Sequence, residues 1–428
     1  MLLLFFDKHL MYSRSDGRGG VISYYYYDAV TWAVVALVLV WLTWFVVRRY
    51  LRARSLRRQP RSNSRAKKRV LKRVIKIKRE LSSTYLQPGF SNSIHAIGIG
   101  KLEQSDDYCI QIFIDDEKTQ DPVVTALPNG YRGVFLELIV MPRAGFLAEA
   151  TLSSPPKSEQ LAHGIRETQQ VIIGGISGAN TNLTGESGTI GYFCTRKSKL
   201  PRVKEIYLLS NSHVFADLRK AKVDDGDLIM QPSPGERESN RPIASLVNFS
   251  VLKFDTDINS PNYIDAAIAK LWTRQAHQPL IPLVGAVKGY VKKKDIEIGE
   301  AARKFGRTSG YTEGHIYSIY LDIWIQYART GKSAFFQDQF LIEPALPDFT
   351  RFVAKGDSGS LVVDANQNAI GLLFGGMAEL PASVDTPESA GSSKGIDSDA
   401  RHLRKIESYG VANPISEVLD RLKIELLV

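Results

Sequence analysis

The stretch that decides the fold is Lys355-Gly356-Asp357-Ser358-Gly359-Ser360, followed directly by Leu361-Val362-Val363. A serine between glycines, opening straight into an apolar strand, is a setting for a nucleophile. The glycines allow a sharp turn and let successive backbone N–H groups converge on one point. A serine hydroxyl is inert without a base, and the base needs a group to orient it. Working outward, both partners lie upstream in strand-edge settings. His213 sits in Leu209-Ser210-Asn211-Ser212-His213-Val214, and Asp265 in Tyr263-Ile264-Asp265-Ala266-Ala267-Ile268-Ala269. Asp255 and Asp257 are rival orienters, but no strand of small and apolar residues follows them.

From Gln170 onward the chain reads as short strands and Gly-rich turns, the pattern of sandwiches and barrels. The runs are 188–194, 206–210, 266–271, 315–321, 340–343, 360–363, 369–374 and a last strand at 409–413. Pro414 to Leu422 has Pro at its start and apolar residues at helical spacing, and predicts a C-terminal helix.

Four motifs in this order, Gly188-Thr189-Ile190-Gly191, then His213, Asp265 and Gly356-Asp357-Ser358-Gly359-Ser360 in their contexts, resemble a trypsin-like, chymotrypsin-fold serine peptidase. The order His, Asp, Ser matches that family and neither the subtilisins nor the α/β-hydrolases. Lys304-Phe305-Gly306-Arg307-Thr308-Ser309-Gly310, with Gly314-His315-Ile316 after it, resembles a second-barrel hairpin of bacterial trypsin-like proteins and plant Narrow Leaf proteins. The resemblance covers about Asn92 to Leu422. It implies a mainly β fold of two six-stranded antiparallel barrels, about 165–275 and 285–410, within a peptidase domain of 165–428. The active site would lie between them.

The roles the resemblance implies are specific. Ser358 would attack a carbonyl carbon, His213 would carry the proton, and Asp265 would orient the imidazole. The N–H groups of Gly356 and Ser358 would form the oxyanion hole. Phe352 would lie at the base of the substrate pocket, with Phe374, Gly375 and Gly376 as a wall. No acid stands at that base, so a strict Arg or Lys preference is not expected. Ile172-Ile173-Gly174-Gly175 resembles an activation terminus, but Gln169-Gln170-Val171 offers no basic cleavage point, so it reads as strand and turn. Whatever orders the oxyanion loop must then come from elsewhere. No cofactor or metal is called for. Gly98-Ile99-Gly100-Lys101 and Gly331-Lys332-Ser333 each lack a glycine that a phosphate loop needs.

Upstream, residues 92–152 read as a small α+β domain with strands at 94–100, 108–114 and 133–141. His95 there reads as structural. Ser153 to Gln169 is a polar linker. Cys109 and Cys194 predict two buried free thiols and no disulfide framework.

The net charge of +10 is uneven. Arg48 to Glu80 carries +15, so the rest of the chain carries −5. Before it, Ala29 to Val47 is uncharged, the length of a membrane-spanning helix. Arginines crowd its C-terminal side, which predicts a single-pass anchor with a non-cytoplasmic tail of residues 1–28 and a cytoplasmic body. The basic segment 48–81, through residues 48–79, would meet anionic lipid headgroups, and nucleic acid is the weaker reading, because charge alone carries no sequence information. Within it 59–64 reads as a break and Arg65 to Leu81 as a basic amphipathic helix, lying on the membrane or packing on the next domain. Glu379 to Arg404, rich in Ser, Asp, Gly and Pro, reads as a long loop.

The expected function is a membrane-anchored serine endopeptidase acting on proteins or peptides. The alternatives are a catalytically silent protease-fold scaffold binding partners at the membrane, and an effector protease switched on by a partner or by oligomerisation.

Overall fold

The computed structural model describes residues 9–15, 21–26, 61–102, 105–115, 121–145, 166–183, 187–197, 205–216, 218, 227–236, 239–255, 257–327, 330–377 and 404–428. The chain divides into two compact units, Met1–Leu71 and Lys72–Val428. In the first, β1 (His9–Ser15) and β2 (Val21–Tyr26) pair antiparallel as a hairpin. The expected span 29–47 lies outside the described residues. Among the described residues, no helix is long and apolar enough to cross a membrane.

A helix of 25 residues runs from Arg61 to Tyr85, longer than the expected 65–81. The supposed break at 59–64 is helical from Arg61. Pro60 is well placed just ahead of a helix, and no Gly or Pro interrupts the sequence before Pro88. Val74, Ile77 and Leu81 are buried at helical spacing, and Lys78 is buried with them. This face packs inside the second unit, whereas Lys72, Arg73, Lys76 and Arg79 are exposed.

The second unit begins with β3 (Ile94–Lys101), β4 (Tyr108–Ile114), β5 (Gly130–Tyr131) and β6 (Val134–Val140). Next come β7 (Val171–Ile172), β8 (Ala179–Asn180), β9 (Tyr192–Arg196), β10 (Tyr207–Ser210), β11 (Leu228–Gln231), β12 (Arg241–Phe249) and β13 (Ala267–Leu271). After β14 (Ala276–His277) and β15 (Gly289–Tyr290) follow β16 (Ala301–Gly306), β17 (Gly310–Tyr327), β18 (Lys332–Pro344), β19 (Leu361–Val363) and β20 (Asn368–Met377). The chain closes with β21 (Arg404–Lys405), β22 (Tyr409–Pro414), the helix Ile415–Leu422 and β23 (Ile424–Leu426).

The molecule is mainly β, as expected, but the sheets are not two matching six-stranded barrels. One is a seven-stranded path, β23-β9-β10-β13-β12-β11-β8, which no further ladder closes among the described residues. The other does contain a closed six-stranded ring, β16-β19-β20-β22-β18-β17, sealed by β16–β17 pairing. That ring is extended outward, because β17 also pairs β3, and β3 leads on to β4 and β6. The strands of residues 92–152 therefore share a sheet with the C-terminal half of the chain. An 18-residue β17 makes this possible: it is long enough to serve the ring and to carry β3 as well.

The strand at 409–413 is not the last. After the helix, Lys423 turns in the left-handed region at φ 56°, and β23 runs back to pair β9. Ile415, Val418, Leu419 and Leu422 enter the same core as Phe193, Leu209 and Ile268. Burying each such side chain is worth about 1.5–3 kcal/mol, so this terminus is bound firmly to the first sheet. His95 is buried on β3 with Nε2 2.8 Å from the Met141 carbonyl, and burial lowers it to about 4, which keeps the ring neutral. Cys109 and Cys194 are buried free thiols pushed up by burial.

Candidate active site

The register between β10 and β13 brings His213 and Asp265 together. Ser210 pairs Ala267, so the residues just after β10 and just before β13 lie at one end of the sheet. A single helical turn, Ser212–Phe215, presents His213. Its Nδ1 lies 2.5 Å from Asp265 Oδ2, and its backbone N–H donates to Asp265 Oδ1 at 3.2 Å. An ionised carboxylate only accepts, so the imidazole proton sits on Nδ1 and leaves Nε2 as the basic nitrogen. Asp265 is fully buried.

Backbone contacts fix this pair from three sides. Asn211 Nδ2 donates to the Asp265 carbonyl at 2.7 Å, and Ser212 Oγ donates to the Ala266 carbonyl at 2.8 Å. Asp265 N–H donates to Asn413 Oδ1 at 2.9 Å, and Asn413 Nδ2 donates to Gln339 Oε1 at 2.7 Å. The Ser-Asn-Ser run before His213 is thus a set of hydrogen-bonding anchors.

The turn carrying Ser358 is held by a fully buried carboxylate. Asp357 Oδ2 accepts from Lys304 Nζ at 2.8 Å, Ser309 Oγ at 2.5 Å and Ala354 N–H at 2.9 Å. Asp357 Oδ1 accepts from the N–H groups of Thr308 and Ser309 at 2.9 and 3.1 Å. Burial alone would raise this carboxyl. The Lys304 ammonium and the donors from Lys304 and Ser309 outweigh it and hold Asp357 below the ordinary carboxylate value. Lys304 is buried as deeply as its partner.

Two glycines shape the turn. Gly356 and Gly359 have φ of +94° and +98°, and a Cβ on Gly359 would stand 2.2 Å from both Ser210 Oγ and the Thr189 carbonyl. Thr189 N–H donates to the Ser358 carbonyl at 2.9 Å, and Thr189 Oγ1 donates to the Gly356 carbonyl at 2.8 Å. The turn therefore rests on Thr189 and Ser210, and Ser210 stands three residues before His213. Within it, the N–H groups of Asp357, Gly359 and Ser360 are all engaged. Those of Gly356 and Ser358 donate to no acceptor among the described residues, and neither does the Ser358 hydroxyl.

The residues expected to line the substrate pocket are placed as follows. Phe352 is fully buried, and its carbonyl accepts from Thr312 Oγ1 at 2.8 Å. Phe374 belongs to the core, its ring 4.7 Å from that of Phe336. Gly375 is half-buried near Ile325, and Gly376 packs against Val353 and the Tyr409 carbonyl. Phe374 is thus packed in the protein interior. Ile172 is buried in β7, and the Gly175 N–H donates to the Ile190 carbonyl at 2.7 Å. Among the described residues no group of three or more His, Cys, Asp or Glu could hold a metal ion.

Sequence reading assigned no role to Lys304, Ser309 or Asn413. Lys304 left one trace. It alternates with Ala302 and Gly306 on the inward face of a strand, where a charge needs a buried partner.

No family model matches this chain, and no curated protein sequence matches it. Solved structures do. A glutamic acid specific serine protease aligns at 13% identity and a TM-score of 0.37, covering 60% of this chain and 100% of its own. Thermobifida fusca protease A aligns at 14% and 0.38, covering 60% and 99%. Cellulomonas bogoriensis chymotrypsin aligns at 13% and 0.36, covering 60% and 98%. These TM-scores are all below 0.5, so the chemistry rests on this chain's own geometry.

Proposed function

We propose that the chain is a serine endopeptidase that cleaves peptide bonds through Ser358, His213 and Asp265. The observation that carries this reading is the buried 2.5 Å contact between His213 Nδ1 and Asp265 Oδ2, just beyond the end of β10, whose Ser210 packs closely against Gly359 of the Ser358 turn. In the proposed reaction Ser358 Oγ bonds to the scissile carbonyl carbon and its proton passes to His213 Nε2. The carbonyl oxygen becomes an oxyanion and takes the N–H groups of Gly356 and Ser358. Collapse breaks the C–N bond, and the amine leaves with the proton from His213. Water then repeats the sequence on the acyl-enzyme and frees Ser358. One oxyanion donor is worth roughly 3 kcal/mol of transition-state stabilisation, so two uncommitted N–H groups beside the serine favour catalysis over a silent scaffold.

The test is labelling with a fluorophosphonate, which reacts only with activated serines. Wild type labels, and Ser358→Ala and His213→Ala do not. Silence of the wild type in the full chain and without residues 1–60 would overturn the reading in favour of a scaffold.

The uncharged run 29–47 and the arginines after it support a single-pass anchor with the peptidase on the cytoplasmic side. Topology reporters fused to each end test this, and a C-terminal reporter on the far side would overturn it.

A further inference from the structure

Tyr327 ends β17 and is buried. Its hydroxyl donates to Asp265 Oδ2 at 2.8 Å, the same oxygen that lies 2.5 Å from His213 Nδ1. The phenol ring stands edge-on to the imidazole, with centroids 6.0 Å apart and planes at 78°. It is clamped in turn by Phe254, edge-on at 5.3 Å, and by Phe336, stacked at 6.4 Å. Burial and the neighbouring Asp265 push the phenol well above its ordinary value, so it remains a donor throughout the working pH range.

A buried carboxylate that lacks donors is costly, and one that can rotate presents the wrong lone pair. Asp265 receives His213 from one side, its backbone N–H on Oδ1, and the Tyr327 hydroxyl on Oδ2. Three donors at two oxygens define the carboxylate plane. The imidazole plane follows, because Nδ1 must meet an oxygen whose second lone pair is already taken by Tyr327. The hydroxyl also shares the negative charge and so limits how tightly Asp265 holds the imidazole.

We propose that Tyr327 is a positioning residue of this site, acting through Asp265 to fix the orientation of His213 and the strength of the bond between them. It touches neither substrate nor the reacting atoms. It supplies the second side-chain donor of the acid from a different sheet, and so couples β17 of the closed ring to the His213–Asp265 end of the seven-stranded sheet.

The kinetic part of this inference rests on the peptidase reading, and the spectroscopic part does not. Tyr327→Phe removes one oxygen and keeps the packing. With a fluorophosphonate probe, the maximal labelling rate falls about 10- to 100-fold while the concentration for half-maximal rate is unchanged, as expected for losing one hydrogen bond to a charged group. In proton NMR, the low-field Nδ1–H resonance of His213, assigned by its loss in His213→Ala, is displaced or lost in Tyr327→Phe. A role in packing alone would lower the melting temperature and move neither readout. A maximal rate within about two-fold of wild type, together with an unmoved resonance, overturns the proposal and leaves the peptidase reading intact. Should the wild type not label at all, the peptidase reading fails. The resonance alone then decides: displacement supports Tyr327 as the partner that sets the pair, and an unchanged signal overturns it.

Discussion

Lys304 Nζ and Asp357 Oδ2 meet at 2.8 Å with both side chains fully buried, and this pair anchors the turn that carries Ser358. The chain needs a cation here because the Asp357 carboxylate is fully buried, and the carboxylate also gathers three backbone N–H groups, from Thr308, Ser309 and Ala354. These draw the hairpin 306–310 and the turn 354–360 onto one point. Lys304→Met removes the counter-ion and leaves an uncompensated buried carboxylate. That costs about 3–5 kcal/mol. Chemical denaturation measures it, and the maximal fluorophosphonate labelling rate falls as the turn loosens. The double variant Lys304→Met, Asp357→Asn recovers part of the stability and little of the labelling, because the neutral amide accepts fewer of the converging donors.

The same pair predicts acid behaviour. Asp357 is held below its ordinary value, so its stabilisation is present in full above the unfolded carboxylate value of about 4 and is lost as the pH falls through the lower folded value. The unfolded chain takes up the proton first, so stability rises with pH across that window. Melting temperatures between pH 2.5 and 7 show a steep acid fall in the wild type. Asp357→Asn starts lower at neutral pH and falls less steeply. Equal slopes in both would remove Asp357 as the source.

An intact chain suffices for an ordered turn. Ile172 is tied into β7, with Gln278 N–H donating to its carbonyl at 2.9 Å, and Asp357 already holds Lys304. No newly made amino terminus is required to neutralise that carboxylate. Protein labelled by fluorophosphonate therefore keeps its bond between Val171 and Ile172, which intact-mass measurement checks. Labelling confined to a fragment beginning at Ile172 would refute this.

Gly359 meets two demands at once. Its φ of +98° suits glycine alone, and any Cβ would stand 2.2 Å from Ser210 Oγ and the Thr189 carbonyl. Gly359→Ala displaces the turn from both contacts. The expected loss is at least about 2–4 kcal/mol, combining overpacking with backbone strain, and denaturation alongside labelling measures it. Gly299, at φ +85° with nothing near its Cβ position, is the control that carries strain alone.

How much of this could be read beforehand depended on range. His213 and Asp265 announce themselves because each sits beside a short strand, and those two strands pair directly. Ser358 is marked by its glycines. Tyr327 lies 62 residues from Asp265 at the end of an apolar strand, where its neighbours make it look like any core aromatic. The sheet joining β3 to β17 was equally hidden. Residues 94–101 and 310–327 are each ordinary strands, and only the excess length of β17 hints that it serves two neighbours. For Phe374 the motif suggests a pocket wall, and its ring packs on Phe336 in the core, within a run of consecutive buried residues of β20.

Lys78 supplies the last prediction. Among the exposed cations of its helix it is fully buried, 2.6 Å from Asp322 Oδ2 and 3.8 Å from Asp338 Oδ1. Asp338 is approached by Arg79 and Lys293 as well, each within 3.4 Å. Lys78 therefore serves the fold, whereas Lys72 and Lys76 are exposed on the same helix. Removing it strands the Asp322 carboxylate on β17, five residues before Tyr327. Lys78→Met is expected to lose about 3–5 kcal/mol, and Lys78→Met with Asp322→Leu to regain much of it, since an apolar pair of similar volume often replaces a buried ion pair at little cost. By contrast Lys72→Ala and Lys76→Ala change stability by less than about 0.5 kcal/mol but weaken binding to anionic vesicles. Denaturation and vesicle sedimentation of the four variants separate the two roles, and equal stability losses at positions 72, 76 and 78 would show that no such division exists along this helix.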